Sequence, residues 1–206
     1  MYCKYDDPEL LKDIVKAVLD EDIANLRFYV ADGVDPDMRD ETGMPLLHRA
    51  ASAGRLGAAQ FLLEAGASPD LKGGPSANTA LHFAAYRNDG AMAELLLRHG
   101  AALHETNGGG ETPLHMAAHM GAADAVILLV KAGARLDLKN HGGQTPREVA
   151  EYRAETLQDA PEFRQIAAFL YRAEIAPKAE QMAQEKVARD LGALKSYNPH
   201  RYKLKF

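Results

Sequence analysis

A recurrence of 33 or 34 residues constrains this chain more than any other feature. Glycines close four apolar stretches at Gly33, Gly66, Gly100 and Gly133, spaced 33, 34 and 33. The histidine of a short apolar phrase keeps the same period at His48, His82 and His115, spaced 34 and 33, and Glu148 stands in register 33 residues later. Two independent markers sharing one period specify a stack of small units. Each unit is too small to bury its own apolar face, so neighbours must bury it together.

The local grammar of a unit is clearest in TPLHMAAHMGAADAVILLVKAG, residues 112–133. Thr112 is placed to cap a helix, and Pro113 fills the first helical position, where a missing N–H costs nothing. Gly121 and Gly133 supply the left-handed backbone that stops each of two helices. The first helix carries an Ala pair (Ala50-Ala51, Ala84-Ala85, Ala117-Ala118), which thins one face for close packing. The second carries bulk three and four residues before the closing glycine, as Leu62-Leu63, Leu96-Leu97 and Leu129-Val130. The reading is helix, turn, helix, repeated.

Through TPLHMAA at 112–118, TALHFAA at 79–85, the weaker PLLHRAA at 45–51, and the Gly-Ala closures at 66, 100 and 133, the chain resembles the ankyrin repeat family over roughly residues 8–173. The resemblance implies an all-α repeat solenoid: a stack of about five helix-turn-helix units with projecting hairpin loops, closed by an extra C-terminal helix. The expected organisation is an N-terminal capping repeat at 1–39, repeats at 40–73, 74–106 and 107–139, and a degenerate repeat with an insertion at 140–176. A C-terminal capping helix and basic tail follow at 177–206. Departures from the pattern set these limits. Residues 9–33 keep the helical spacing but not the phrase, GGPSAN carries one extra residue, and about seven additional residues around ETLQDAP (155–161) interrupt the fifth unit. Beyond Pro177, residues Ala179, Met182, Val187, Leu191 and Leu194 fall near one helical face, as in a cap packed on the end of the stack near Phe169 and Leu170.

Composition narrows the function. A formal charge of -5 opposes nucleic-acid binding over the whole surface, leaving only a local contact through the basic stretch 195–206 as an alternative. Cys3 is the only cysteine, so no intramolecular disulfide and no cysteine-based metal cluster forms from this chain, and a reducing, cytoplasmic setting is expected. The first residues have no secretory signal character, and no apolar run approaches a membrane span. His115 and His119 lie four apart on one helix, but no Glu follows the first as a zincin site requires. A histidine-based metal protein or small enzyme using His115, His119 and His141 is therefore the weaker reading. The Gly108-Gly109-Gly110 run lacks the Lys-Ser/Thr and preceding strand of a phosphate loop. No catalytic residue, metal site or cofactor is assigned.

By the resemblance, His48, His82 and His115 are structural, their imidazoles bonding to backbone of the adjacent repeat. It also implies that a protein partner is held on the first-helix face and the hairpin tips, by a chain that is a monomer when alone. By the same resemblance, the two positions after each Ala pair are expected to face that groove. They read Ser52 and Ala53, Tyr86 and Arg87, His119 and Met120, and, after Ala150-Glu151, Tyr152 and Arg153. Tyr and Arg are the residues that dominate interface hot spots. The hairpin positions add Glu41, Thr42, Met44, Ser76, Asn78, Glu111, His141 and Gln144.

Overall fold

The structure is a computed structural model that describes residues 8–157 and 160–177. Among the described residues nine helices follow in order: α1 (Pro8–Leu19), α2 (Ile23–Ala31), α3 (Leu46–Ala53), α4 (Leu56–Glu64), α5 (Ala80–Tyr86), α6 (Gly90–Arg98), α7 (Pro113–Met120), α8 (Ala123–Lys131) and α9 (Pro146–Thr156). A tenth, α10, spans 161–177. The described residues contain no strand, only single antiparallel bridges at Arg39 with Pro45 and Gly73 with Asn78 in the hairpins.

Two rows of helices make the stack. The first helices of successive units pack side by side, α1 on α3, α3 on α5, α5 on α7 and α7 on α9, and the second helices form a parallel row, α2 on α4, α4 on α6 and α6 on α8. All six residues of the three Ala pairs are fully buried, because only a methyl group fits where neighbouring first helices meet. Leu62, Leu96 and Leu129 are also fully enclosed. One step of about 100° further round, Leu63 is buried while Leu97 and Val130 are half-buried.

Helix stops follow the turn residue. Gly54 and Gly121 cap α3 and α7 in the left-handed conformation, with φ of 69° and 71°. The third unit has Asn88 in that register at φ 55°, a residue that tolerates the conformation. Its side chain then ties two units together, accepting from the Ala125 N–H at 2.9 Å and donating to Asp124 at 3.0 Å. The fifth unit has Ala154 there, and the helix does not stop. α9 therefore runs to 11 residues, where α3, α5 and α7 have 7 or 8. The additional residues at 155–161 begin as that extension, and α10 takes the place of the second helix. Its Phe163, Ile166, Ala167 and Leu170 are buried at the i, i+3, i+4, i+7 spacing of one helical face. Arg147 of α9 is paired with Glu174 of α10 at 3.1 Å. The capping helix and basic tail expected from residue 178 onward, with Leu191 and Leu194, lie outside the described residues.

Candidate partner-binding surface

Three hairpins are each built around one side chain that folds the backbone onto itself, whereas the hairpin at 73–78 has Gly73 in that register and closes through backbone. The Asp40 carboxylate accepts from the Thr42 N–H at 2.8 Å, the Thr42 hydroxyl at 2.7 Å and the Met44 N–H at 3.0 Å, and it is ion-paired with Arg49. Burial would raise its pKa, but these hydrogen bonds outweigh burial and hold it below the ordinary carboxylate value. Asn107 does the same work without charge, accepting from the Gly109 and Glu111 N–H groups at 2.9 and 3.0 Å, and Asn140 accepts from Gln144. The last three hairpins are joined through backbone, Gly108 N–H to Ser76 at 2.8 Å and His141 N–H to Gly109 at 2.9 Å, and the first is joined to the second by the Arg39 guanidinium on the Lys72 carbonyl at 2.9 Å.

The buried histidines fasten each first helix to the following hairpin. His48, His82 and His115 are fully enclosed, and their Nε2 atoms lie 2.8, 2.8 and 3.0 Å from the carbonyls of Asn78, Glu111 and Gln144. A carbonyl can only accept, so Nε2 carries the proton and Nδ1 is the acceptor. Thr79 and Thr112 meet that acceptor with a backbone N–H at 3.2 Å and a hydroxyl at 2.8 Å in each case. Burial depresses all three imidazole pKa values, that of His82 to about 4, because a charged ring would lose its hydration. In the fifth unit Glu148 closes the corresponding box within its own unit, taking the Thr145 N–H at 2.8 Å.

The first-helix row presents the side chains that follow the Ala pairs. Tyr86, Met120 and Tyr152 are 52, 38 and 56 % exposed, and Arg87 is exposed. Ser52, Ala53 and His119 are half-buried. Arg87 donates to the Ser52 carbonyl at 3.1 Å, lying back along the row rather than reaching into solvent. Arg153 is half-buried with its guanidinium over the Phe163 ring at 5.5 Å, which places it at the junction with α10. Among the hairpin positions Glu41, Thr42, Ser76 and His141 are exposed, while Met44, Asn78, Glu111 and Gln144 are half-buried. Asn78 and Glu111 each serve the scaffold twice, through a carbonyl on a histidine and a side chain on Asn107. His115 uses both ring nitrogens inside the stack, so it offers none to a metal alongside His119 and His141.

Sequence reasoning missed one layer. Arg49, Phe83 and Met116 sit one turn ahead of the chosen positions on the same helical face and are half-buried. The signal was present, since each directly follows its structural histidine. Sequence reasoning also missed a cleft of about 320 Å³ where α1 faces the first hairpin, lined by Leu11, Val15, Leu19, Lys16, Thr42 and Arg49 among others.

Profiles of ankyrin repeats match the chain twice, three copies over residues 47–140 and a many-copy form over 14–63. The chain belongs to the ankyrin repeat family. This ankyrin repeat protein is 41% identical over 95 residues to mouse "Ankyrin repeat and SOCS box protein 16", a match covering 42% of this chain and 20% of that protein. It is 45% identical over 69 residues to human "Ankyrin repeat and SOCS box protein 18", covering 34% and 15%. It is 37% identical over 89 residues to human "Palmitoyltransferase ZDHHC13", covering 43% and 14%. The matches span a fifth or less of each of these relatives. Ankyrin repeats are generally protein-interaction modules. No described helix is long and apolar enough to cross a membrane.

Proposed function

We propose that this ankyrin stack is a binding module, an adaptor or inhibitor that holds a partner protein against its first-helix row and hairpin tips and catalyses no reaction. The observation that supports it is the row itself. Large side chains rich in Tyr and Met stand exposed along the face where neighbouring first helices meet through their buried Ala pairs, with Tyr86 and Tyr152 more than half exposed. Tyr contributes large contact area at little cost in conformational entropy, and a rigid platform reduces the ordering cost of association. In this reading the protein acts as a monomer in the reducing cytoplasm, to which its single cysteine is suited.

The test uses the full chain as bait in its native cell, with the captured protein then purified and titrated. Tyr86→Ala and Arg87→Ala are each expected to weaken that complex by roughly 1 to 3 kcal/mol with little change in melting temperature. Gln60→Ala, exposed on the second-helix side, is expected to do nothing. A partner that binds the Tyr86, Arg87 and Tyr152 triple-alanine variant as tightly as wild type would remove the first-helix row from the interface.

A further inference from the structure

The charge of the first-helix row runs against the charge of the chain. At the row's register positions the charged side chains are Lys16, Arg49, Arg87 and Arg153 against a single acid, Asp20, in a protein of net charge -5, and the acids Glu41 and Glu111 stand on the hairpins beside the row. Arg49 is committed to Asp40. Arg87 and Arg153 are not committed to any carboxylate among the described residues. Arg87 bonds only a backbone carbonyl, and Arg153 lies on an aromatic face with its buried Nε lacking any hydrogen-bond partner. A partly desolvated guanidinium without a carboxylate gains more from one than a solvated lysine does, because its planar fork takes both oxygens and its hydration is weak.

A second feature lies at the N-terminal end of the same face. α1 has 12 residues, about one turn more than α3, and the extra turn lifts Leu11 beside the first hairpin. Leu11, Val15 and Leu19, spaced four apart, are half-buried and form the apolar floor of the 320 Å³ cleft, whose wall is balanced in charge, Lys12, Lys16 and Arg49 against Asp20, Asp40 and Glu41, and so suits an apolar side chain. One aliphatic or aromatic side chain fits such a socket.

We propose that the face receives an acidic segment of the partner, one apolar side chain seated in the α1 cleft and its carboxylates on Arg87 and Arg153. This rests on the binding-module reading above and adds the chemistry of what is bound. With neighbouring helices about 10 Å apart, the run from the first unit to the fifth is about 40 Å, which about twelve extended residues cover.

Fluorescein-labelled twelve-residue synthetic peptides test it by anisotropy against the full chain. One has a terminal Leu followed by alternating Glu and Ser, one has Ser in place of that Leu, and one has Lys in place of every Glu. The anchored acidic peptide is expected to bind, with affinity falling as salt is raised. The anchorless peptide should bind about tenfold more weakly, and the Lys peptide should not bind. Arg87→Glu with Arg153→Glu should abolish binding, while Arg98→Glu, exposed on α6 of the other row, should leave it unchanged. Leu11→Ala should erase the difference between the anchored and anchorless peptides. Circular dichroism confirms that each variant is folded, and Arg87→Gln, which removes charge without reversing it, should show a partial loss. The proposal is overturned if no acidic peptide binds, if the Lys peptide or a single-stranded oligonucleotide binds as well, or if the reversed variant binds like wild type. A native partner that needs Tyr86 and Tyr152 while the acidic peptides fail would leave the binding-module reading standing and remove this one alone.

Discussion

Pro45 and Thr79 hold the same place in successive units, three residues ahead of His48 and His82, and the two buried imidazoles they serve are in different states. His82 has both nitrogens satisfied, one by the Glu111 carbonyl and the other by Thr79. His48 bonds Asn78 through Nε2, but its Nδ1 is buried with no partner. The cause is the residue type at position 45. Proline has neither an N–H nor a hydroxyl to give, and an orphaned buried acceptor costs about 1 to 3 kcal/mol. Edge contact of His48 with the Phe83 ring, centroids 5.8 Å apart, replaces packing but not the hydrogen bond. The second unit therefore keeps the form of the third without the two bonds that Thr79 gives its ring, and local strength in a stack of this kind is set unit by unit.

The largest effect that should expose this difference comes from removing the rings. His82→Ala is expected to cost roughly 3 to 5 kcal/mol, since it opens a cavity and orphans the Glu111 carbonyl. His48→Ala should cost about 1 kcal/mol less, because it also deletes an unpaired acceptor. Urea titrations of the two variants measure the gap, and equal losses would mean that the Nδ1 bond contributes nothing.

Acid should act next. The His82 pKa is pushed down to about 4 from an ordinary value of 6.5, so its ring is neutral when folded and takes a proton more readily when unfolded. The associated stability is fully present above pH 6.5 and is lost as pH falls through that window toward 4, by roughly 3 kcal/mol for this group. His48 and His115 shift in the same direction and add to the loss. Melting temperatures taken between pH 7 and 4 should fall along this course, and His82→Gln should flatten the curve. An unchanged slope in that variant would assign the acid sensitivity elsewhere.

The smallest effect is the sharpest probe of the comparison. Pro45→Thr supplies the missing N–H and hydroxyl and should stabilise by about 1 kcal/mol, the bond gained being partly offset by the freer unfolded chain. The same change in a His48→Ala background should give no gain. A double-mutant cycle on positions 45 and 48 reads this coupling directly.

Much of the scaffold was legible before any coordinates. The 33-residue period, the Ala pairs and Thr112-Pro113 each answer a local or nearest-neighbour requirement, and such requirements repeat with the sequence. Asn88 shows where legibility thinned. Its left-handed turn could be anticipated from residue type, but its bonds to Asp124 and Ala125 join residues more than thirty positions apart. The candidate surface was legible only as a register. Tyr86, Met120 and Tyr152 are exposed as their positions imply. Arg87 and Arg153 occupy the same register, yet one lies on Ser52 and the other on Phe163, because a long side chain settles on whatever the neighbouring unit provides.

By itself, then, the sequence determined the repeat, the places where helices start and stop, and which residues line each face, because these depend on backbone preference and burial within one unit and its neighbour. Tertiary structure alone decided that Arg87 lies back on Ser52, that Arg153 lies on Phe163 of α10, and that the extra turn of α1 opens a cleft with the first hairpin. Each of these arises where two segments meet in space, and their fit depends on distances and directions that a one-dimensional pattern does not carry.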